Sequence, residues 1–374
     1  MKEINSLYIH FPFCQHLCNY CDFYKHKLED EKQVIEFEEK LIDQINFHKS
    51  FLEKKNFEIG ELDSVYLGGG TPSLWKLRGP EFIKRHFLKD YRLSKNCEFT
   101  MEIDPDTWSE EEIERWQSIG VNRFSIGSQA YSEKYIKIMD RTHNFEDVEK
   151  TIKYFSDRSL NFSVDLMLGL PKASEKRDVE SELSALLAYK PNHFSVYILK
   201  TRSNYPLKKF LPDDEDIREE YLKVSSFLKK HGYDHYEVSN FARDGFYSKH
   251  NRKYWDYQSV AAIGPNATGL LVGDGDSIRY QWKSVSLGVT EEVLSGSSLI
   301  IEKLFLGLRH KNDFDITRIF NKSEEIKELG ELLINWKRLN YVEESSELTS
   351  INLTPYGYLM CDSLLDDVFK RISF

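Results

Sequence analysis

The hydrophobic pattern of the first 200 residues alternates between short apolar runs and longer stretches with a helical period. The short runs predict six strands, which are Leu7–His10, Ser64–Leu67, Glu98–Ile103, Asn122–Ile126, Phe162–Met167 and His193–Leu199. Amphipathic helices are predicted between them, over Asp30–Leu52, after Gly79, over Ser109–Ile119, after Asn144 and over Asp178–Tyr189. Repeated strand–helix units build a parallel sheet, so the pattern predicts an α/β fold, and six strands indicate a partial barrel.

Polar and flexible residues follow the carboxyl ends of several predicted strands. The second strand is followed by Gly68-Gly69-Gly70-Thr71, where the lack of side chains lets the backbone come close to a ligand. The next three strands end at Glu102, at Gly127-Ser128-Gln129 and at Asp165. Because the carboxyl ends of parallel strands share one edge, we expect these groups to surround one opening.

Three cysteines, Cys14, Cys18 and Cys21, follow the first strand in a CxxxCxxC spacing. Three thiolates are one fewer than a structural zinc site or an all-cysteine iron–sulfur cluster needs, so one metal position is left open. On a [4Fe–4S] cluster an exchangeable ligand can fill that position. S-adenosylmethionine (SAM), which chelates through its amino and carboxylate groups, is the candidate, and radical chemistry would follow.

A zinc site is an equally acceptable interpretation of the cysteine spacing alone. His10, His16 and His26 flank the cysteines, and one imidazole would complete tetrahedral coordination. Disulfides are less expected, because the chain has five cysteines and two of them, Cys97 and Cys361, are isolated in the sequence.

Considered together, these segments resemble the radical SAM group that contains oxygen-independent coproporphyrinogen III oxidase and its relative, the heme chaperone HemW. The resemblance extends in order to about residue 270. The matching segments are Tyr8 to Phe23, Gly68 to Ser73, Met101 and Glu102 with Pro105, Gly120 to Arg123, Gly127 with Gln129, Arg141 to His143, Asp165 to Met167 with Gly169 to Pro171, and His235 to Ala242.

The resemblance implies a role for each matching position. Cys14, Cys18 and Cys21 would hold three irons of a [4Fe–4S] cluster. The SAM-binding positions are Tyr8, Gly69, Gly70, Thr71, Glu102, Gln129, Arg141 and Asp165. The planar guanidinium of Arg141 can pair with a carboxylate, and Asp165 or Glu102 can accept from ribose hydroxyls. A reduced cluster would donate one electron to the sulfonium, giving methionine and a 5′-deoxyadenosyl radical.

Two features favour the heme chaperone branch over the decarboxylating oxidase, which is the alternative. The oxidase has a further cysteine two residues after the third, where this chain has Phe23, and it has a longer segment before the cluster. The chaperone branch implies that heme is bound and passed to a respiratory protein. A respiratory acceptor and an electron donor such as flavodoxin are therefore expected partners.

The segment His250-Asn251-Arg252-Lys253-Tyr254-Trp255 matches the HNxxYW pattern of the chaperone branch. A histidine can ligate heme iron and aromatic rings can stack on a macrocycle, so His250 near the barrel mouth is the predicted heme ligand. Packing of Tyr254 and Trp255 under the barrel is the structural alternative. Thr268 stands where relatives have a histidine, which counts against full heme handling.

Beyond residue 300, helices are predicted over Leu299–His310, Ser323–Leu339 and Pro355–Phe374, with a short strand pair around Tyr341–Glu343 and Ile351–Leu353. This part resembles the small helical, winged-helix-like domain of the family. The predicted organisation is therefore a partial (β/α)6 radical SAM barrel over residues 1–235, a connecting segment over 236–298, and a smaller C-terminal α+β domain over 299–374.

The composition limits which binding partners and which cellular compartment are expected for this chain. With 51 basic and 61 acidic side chains the net charge is −10, and such a field repels phosphate backbones, so nucleic acid is not expected as a partner. No apolar run approaches the ~18 residues that span a bilayer, and no cleavable segment precedes the first strand. The chain is expected in the cytoplasm, with any membrane association peripheral.

Overall fold

Strands and helices alternate along the chain in the predicted order. The computed structural model describes residues 1–173, 176–284, 286–320 and 322–372. The strands are β1 (Lys2–Phe11), β2 (Phe13–Cys14), β3 (His26–Lys27), β4 (Phe57–Gly69), β5 (Leu93–Ile103), β6 (Arg123–Gln129), β7 (Phe162–Leu168), β8 (His193–Ile198), β9 (Asp234–His235), β10 (Asn240–Ala242), β11 (Ala261–Ile263), β12 (Thr268–Val272), β13 (Ser277–Trp282) and β14 (Val289–Leu294). The α-helices are α1 (Glu31–Lys54), α2 (Arg78–His86), α3 (Glu110–Ser118), α4 (Glu133–Ile138), α5 (Phe145–Asp157), α6 (Val179–Leu187), α7 (Asp214–Lys230), α8 (Lys249–Trp255), α9 (Gly296–Gly307), α10 (Ser323–Arg338), α11 (Pro355–Leu359) and α12 (Cys361–Arg371).

Nine strands of the described chain form one sheet in the order β11-β1-β4-β5-β6-β7-β8-β10-β9. The six predicted strands are its parallel centre, which confirms the α/β class. Strand β11 adds to β1 in parallel, and β10 adds to β8 in antiparallel fashion. The predicted division between residues 235 and 236 stays a prediction, but it falls between two paired strands, β9 and β10.

Local signals in the sequence fix where several helices begin. Asp30 and Asn144 each form a capping box at the start of α1 and α5, which satisfies N–H groups that have no partner inside the helix. The predicted N-cap at Ser109 is confirmed, because its hydroxyl accepts from the Glu112 N–H at 3.3 Å. These caps fix the first turn of α1, α3 and α5.

The C-terminal part is mostly helical and docks on the core. A bridge joins Glu237 to His310, and the Val238 N–H donates to the Arg309 carbonyl at 2.8 Å. The predicted strand pair is reduced to isolated bridges, among them Val342 with Leu353. The predicted last helix is broken at Met360 into α11 and α12, and its final two residues lie outside the described part. Across the residues that the structure describes, no helix is both long and apolar enough to cross a bilayer.

Candidate metal and cofactor site

The three cysteines occupy a loop that leaves the sheet at the end of β1. Cys14 is buried in β2, which pairs with β3 so that Cys14 lies beside Lys27, while Cys18 and Cys21 are half-buried. All three are free thiols. Burial raises the pKa of Cys14 to about 11, although Thr71, whose side chain lies against this thiol, opposes the rise. A bound metal would hold the deprotonated form.

The spread of the thiols distinguishes between the two metal interpretations. Among the described residues, only Asp104, Asp106 and His143 form a trio of His, Cys, Asp or Glu whose ligand atoms all lie within 4.8 Å of one another. Thiolates on one zinc ion, each about 2.3 Å from it, would be about 3.8 Å apart. In this structure at least two of the three cysteine sulfurs are therefore more than 4.8 Å apart, which is farther than two thiolates on one zinc ion would be.

Two of the histidines that the sequence suggested as zinc ligands, His10 and His16, have other partners. His10 is buried, and its ring nitrogens lie 3.0 Å from the Tyr8 hydroxyl and 2.9 Å from the Tyr24 carbonyl. His16 lies 3.0 Å from the Asp140 carboxylate. Burial lowers the pKa of His10 to about 4, so this ring is a neutral link between β1 and the cysteine loop.

The glycine loop approaches the protein backbone more closely than any side chain would allow. A Cβ on Gly70 would lie 2.5 Å from the Phe13 carbonyl oxygen, and a Cβ on Gly69 would lie 2.6 Å from the His10 ring. The Gly70 N–H donates to the Phe11 carbonyl and the Thr71 N–H to the Phe13 carbonyl, both at 2.7 Å. This loop therefore holds the segment that carries Cys14.

Two carboxyl groups near the glycine loop lie on β5 and β7, with β6 between them. Glu102 accepts from the Tyr66 hydroxyl at 2.9 Å and from the Gly69 N–H at 3.1 Å. Burial raises the pKa of Glu102 to about 7, and the nearby Asp165 adds to the rise. Asp165 accepts from Ser125, which is the register partner of Glu102. Both groups can also accept from ligand hydroxyls.

Arg141 connects this site to the cysteine loop. One of its terminal nitrogens forms an ion pair with Asp104, and the other lies 3.7 Å from the Cys18 sulfur and 3.3 Å from the Tyr20 hydroxyl. Its Nε is buried and has no partner within the described part of the chain. An unsatisfied, buried guanidinium N–H is a donor that a ligand carboxylate would complete.

Gln129 and Tyr8 are the remaining predicted positions, and the Tyr8 ring lies 6.1 Å from that of Tyr66, the hydrogen-bond partner of Glu102. Gln129 has a left-handed backbone with φ 62°, a conformation that costs energy in a non-glycine residue and is often found at functional sites. Gly127 brings the Gln129 amide and the Arg141 guanidinium together, because a Cβ on it would lie 3.1 Å and 3.7 Å from them. The glycine loop, Glu102, Asp165, Gln129 and Arg141 therefore offer the donors and acceptors that a molecule with a carboxylate and hydroxyls requires.

His250 is buried beside this group, with its ring centroid 6.3 Å from that of Tyr8 and 5.2 Å from that of Tyr66. It is the second residue of α8 and is 2% exposed. Its Nδ1 lies 3.1 Å from the Ser6 hydroxyl and 3.2 Å from the Ser64 hydroxyl, near the middle of β1 and β4. Glu98 accepts from its backbone N–H at 3.1 Å. The segment is helical, and Tyr254 packs beside His250 with ring centroids 5.5 Å apart.

Sequence reasoning missed the residues that hold the site residues in place. Asp104 binds both Arg141 and, through its other oxygen, His143 Nδ1 at 2.8 Å. Burial would raise the pKa of Asp104, but the Arg141 guanidinium and the hydrogen bond from His143 lower it overall. The sequence feature that could have identified Asp104 is its position two residues after Glu102, which places both on the same face at the strand end.

The comparisons with known proteins agree with this architecture. Residues 8–182 match the model of the Radical SAM superfamily, which is the class that the parallel sheet and cysteine loop define. The fold is similar to a solved structure of coproporphyrinogen III oxidase (HemN) from Escherichia coli, with a TM-score of 0.77 at 16% identity, covering 99% of this chain and 91% of that one.

Curated relatives narrow the class to one family. The heme chaperone HemW of Lactococcus lactis is 32% identical, over 98% of this chain and 99% of its own. The HemW proteins of Bacillus subtilis and Escherichia coli are each 32% identical, over 82% and 73% of this chain and 83% and 72% of their own. The chain belongs to this HemW family of radical SAM proteins. Membership implies a [4Fe–4S] cluster and SAM, and the donors described above fit both.

Proposed function

We propose that this chain is a heme chaperone, which binds a [4Fe–4S] cluster, SAM and heme and passes heme to a respiratory protein in the cytoplasm. The observation that carries the proposal is the match to the Lactococcus lactis heme chaperone, which extends over 98% of this chain and 99% of that relative. Phe23, which is 71% exposed beside the cysteine loop, stands where the oxidase has a further cysteine, and this supports the chaperone over the oxidase.

The cluster and SAM would occupy adjoining parts of the carboxyl edge. Cys14, Cys18 and Cys21 would hold three irons, and Arg141 Nε would meet the SAM carboxylate. Glu102 and Asp165 would accept from its ribose hydroxyls. When bound and reduced, the cluster supplies one electron for cleavage of SAM, and an electron donor such as flavodoxin belongs to this proposal.

The role of His250 as the heme ligand stays a prediction. Its Nε2 has no hydrogen bond within the described chain, which a ligand could use, but burial at 2% exposure keeps a macrocycle away unless α8 moves. Burial also lowers the pKa of His250 to about 3, so the ring stays neutral in the folded protein. If His250 is structural, His250→Ala lowers thermal stability and leaves the heme spectrum unchanged.

The proposed function is tested by anaerobic reconstitution with iron, sulfide, reductant and SAM. The loaded protein is incubated separately with heme and with coproporphyrinogen III, and all products are identified by mass spectrometry. A heme chaperone binds heme and returns coproporphyrinogen intact. Loss of carboxyl groups from coproporphyrinogen would assign the oxidase reaction instead.

A further inference from the structure

A chain of buried hydrogen bonds runs from Asp165 to the beginning of α8. Ser163 lies two residues before Asp165 on β7, and its hydroxyl donates to the Asp165 carboxylate at 3.1 Å. The same hydroxyl lies 2.8 Å from Nδ1 of His193, its register partner on β8. His193 Nε2 lies 2.8 Å from the Tyr236 hydroxyl, which accepts from the Ser248 N–H at 3.1 Å. The hydrogen bonds therefore join a predicted SAM contact on β7 to the N-cap residue of α8.

The groups between the two ends of this chain are closed off from water. Ser163 and His193 are each 0% exposed, and Tyr236 is 4% exposed. Both ring nitrogens of His193 have partners, whereas His250 Nε2 has none within the described chain. A buried polar group that loses its partner costs free energy, so each member of the chain restrains the next.

The two ends also fix the direction in which the protons point. An ionised carboxylate can only accept, and a backbone N–H can only donate. Burial lowers the pKa of His193, and the nearby Arg123 cation adds to this effect, so the ring is neutral and carries one N–H. When every proton is used, Tyr236 donates to Nε2, Nδ1–H donates to Ser163, and Ser163 donates to Asp165. Only the Nδ1–H tautomer of His193 leaves the Ser163 proton for Asp165.

Three serine hydroxyls surround the Asp165 carboxylate. The Ser125 hydroxyl on β6 lies 2.8 Å and 3.0 Å from its two oxygens, and Ser195 on β8 is a further donor. Burial raises the pKa of Asp165, and these hydroxyls oppose the rise because they stabilise the charged form. Ser163 contacts His193 as well, so its donation to Asp165 depends on which ring nitrogen of the histidine carries the proton.

We propose that His193 is a positioning residue for SAM, which acts through Ser163 and Asp165, and that Tyr236 selects its tautomer. This role rests on the proposed function, because it takes Asp165 as the acceptor from a ribose hydroxyl. His193 itself makes no contact with SAM in this proposal. Its N–H keeps the Ser163 proton directed at Asp165, so the carboxylate keeps its orientation and charge when the ribose binds. Tyr236 thereby acquires a role within the matching segment His235 to Ala242.

The test compares the binding of SAM and of its 2′-deoxy and 3′-deoxy analogues to the full-length, cluster-loaded protein without oxygen. Asp165→Asn identifies the hydroxyl concerned, because this variant should lose the preference for SAM over the analogue that lacks it. His193→Leu is expected to weaken SAM binding by roughly threefold to tenfold, which is the range for one hydrogen bond, and to leave the affinity for that analogue nearly unchanged. Tyr236→Phe should give the same pattern, since the ring loses only the hydroxyl that holds the tautomer.

His48→Leu is the matched control. His48 is likewise buried, at 1% exposure, and its Nε2 lies 2.8 Å from the Tyr280 hydroxyl, but these two residues belong to α1 and β13. The control is expected to have a lower melting temperature and unchanged binding of all three ligands. Iron and sulfide content verify that every variant carries the cluster. Tyr236→Phe decides the test if His193→Leu does not fold.

A purely structural His193 predicts a different result. If His193→Leu weakens binding of SAM and of the deoxy analogue by the same factor, or weakens neither, the positioning role is overturned. If Asp165→Asn still distinguishes SAM from both analogues as the wild type does, Asp165 does not bind the ribose, and the positioning role is overturned with that assignment. A wild-type protein that carries the cluster and binds no SAM would contradict the proposed function itself, and the positioning role with it.

Discussion

The Arg141 guanidinium forms a buried ion pair with Asp104 on one side and lies 3.7 Å from the Cys18 sulfur on the other. Asp104 is in turn held by His143 at 2.8 Å. The orientation of the Arg141 guanidinium between Asp104 and the cysteine loop is therefore fixed, because a charge-assisted hydrogen bond is stronger and more directional than a neutral one.

Removal of this cation should weaken SAM binding. Arg141→Ala is expected to reduce SAM affinity by about 10- to 100-fold, because a hydrogen bond to a charged group is worth about 1.5–3 kcal/mol. Asp104→Asn is expected to have a smaller effect in the same direction, since Arg141 stays but is no longer held by an opposite charge. Equilibrium binding of SAM to reconstituted protein is the measurement. Glu182→Gln, which removes the charge from another buried ion pair, with Arg177, is the control. Equal affinity in all of these proteins would place SAM elsewhere.

The cluster is expected to depend on three of the five cysteines. Replacement of Cys14, Cys18 or Cys21 with Ala should abolish it, because each thiolate would hold one iron. Cys97→Ala and Cys361→Ala should leave it intact, since both residues are buried away from the loop. Iron and sulfide analysis of protein purified without oxygen should give about four irons per chain in the wild type. Stoichiometric zinc without sulfide would refute the cluster.

A side chain at Gly70 should disturb the cluster loop. The added Cβ of Gly70→Ala would lie 2.5 Å from the Phe13 carbonyl oxygen, so the segment that carries Cys14 must move. Such overpacking typically costs about 1–3 kcal/mol. A lower melting temperature and lower iron content are therefore expected. Gly275→Ala is the control, because a Cβ there meets no atom within 4 Å. Unchanged iron content with weaker SAM binding would instead support direct contact between Gly70 and SAM, as the sequence predicted.

Glu237 should make stability depend on pH. It is fully buried where the core meets the C-terminal part, and burial raises its pKa to about 8. In the unfolded chain this carboxyl ionises near its ordinary pKa of 4.5, so between these values the folded state binds more protons than the unfolded state. The contribution of Glu237 to stability therefore falls as the pH rises through this window.

The uncharged variant Glu237→Gln isolates this effect. Its free energy of unfolding, relative to the wild type, is expected to increase from about pH 5 to about pH 8. Urea unfolding of both proteins at several pH values is the measurement, and the comparison cancels the buried histidines that both share. A constant difference across this range would show that Glu237 is ionised in the folded protein.

Local patterns were sufficient for the order of elements and for the loop that carries the three cysteines. The apolar period of the six central strands and the N-cap at Ser109 depend on residues close together in the sequence, and the structure confirms both. The CxxxCxxC spacing likewise brings three thiols into one loop, whatever the rest of the chain does. The site positions that follow individual strands were predictable because parallel strands end at a shared edge.

The sequence by itself therefore determined the α/β class, the cysteine loop and the edge at which the other site residues collect. Only the tertiary structure decided that Asp104 binds Arg141, that Gly70 approaches Phe13, that β11 extends the sheet beside β1, and that His250 is buried against Ser6 and Ser64. The physical reason is that each of these relationships joins residues far apart in the sequence. Periodicity and spacing report the face on which a residue lies, whereas the partner on that face depends on how the elements pack.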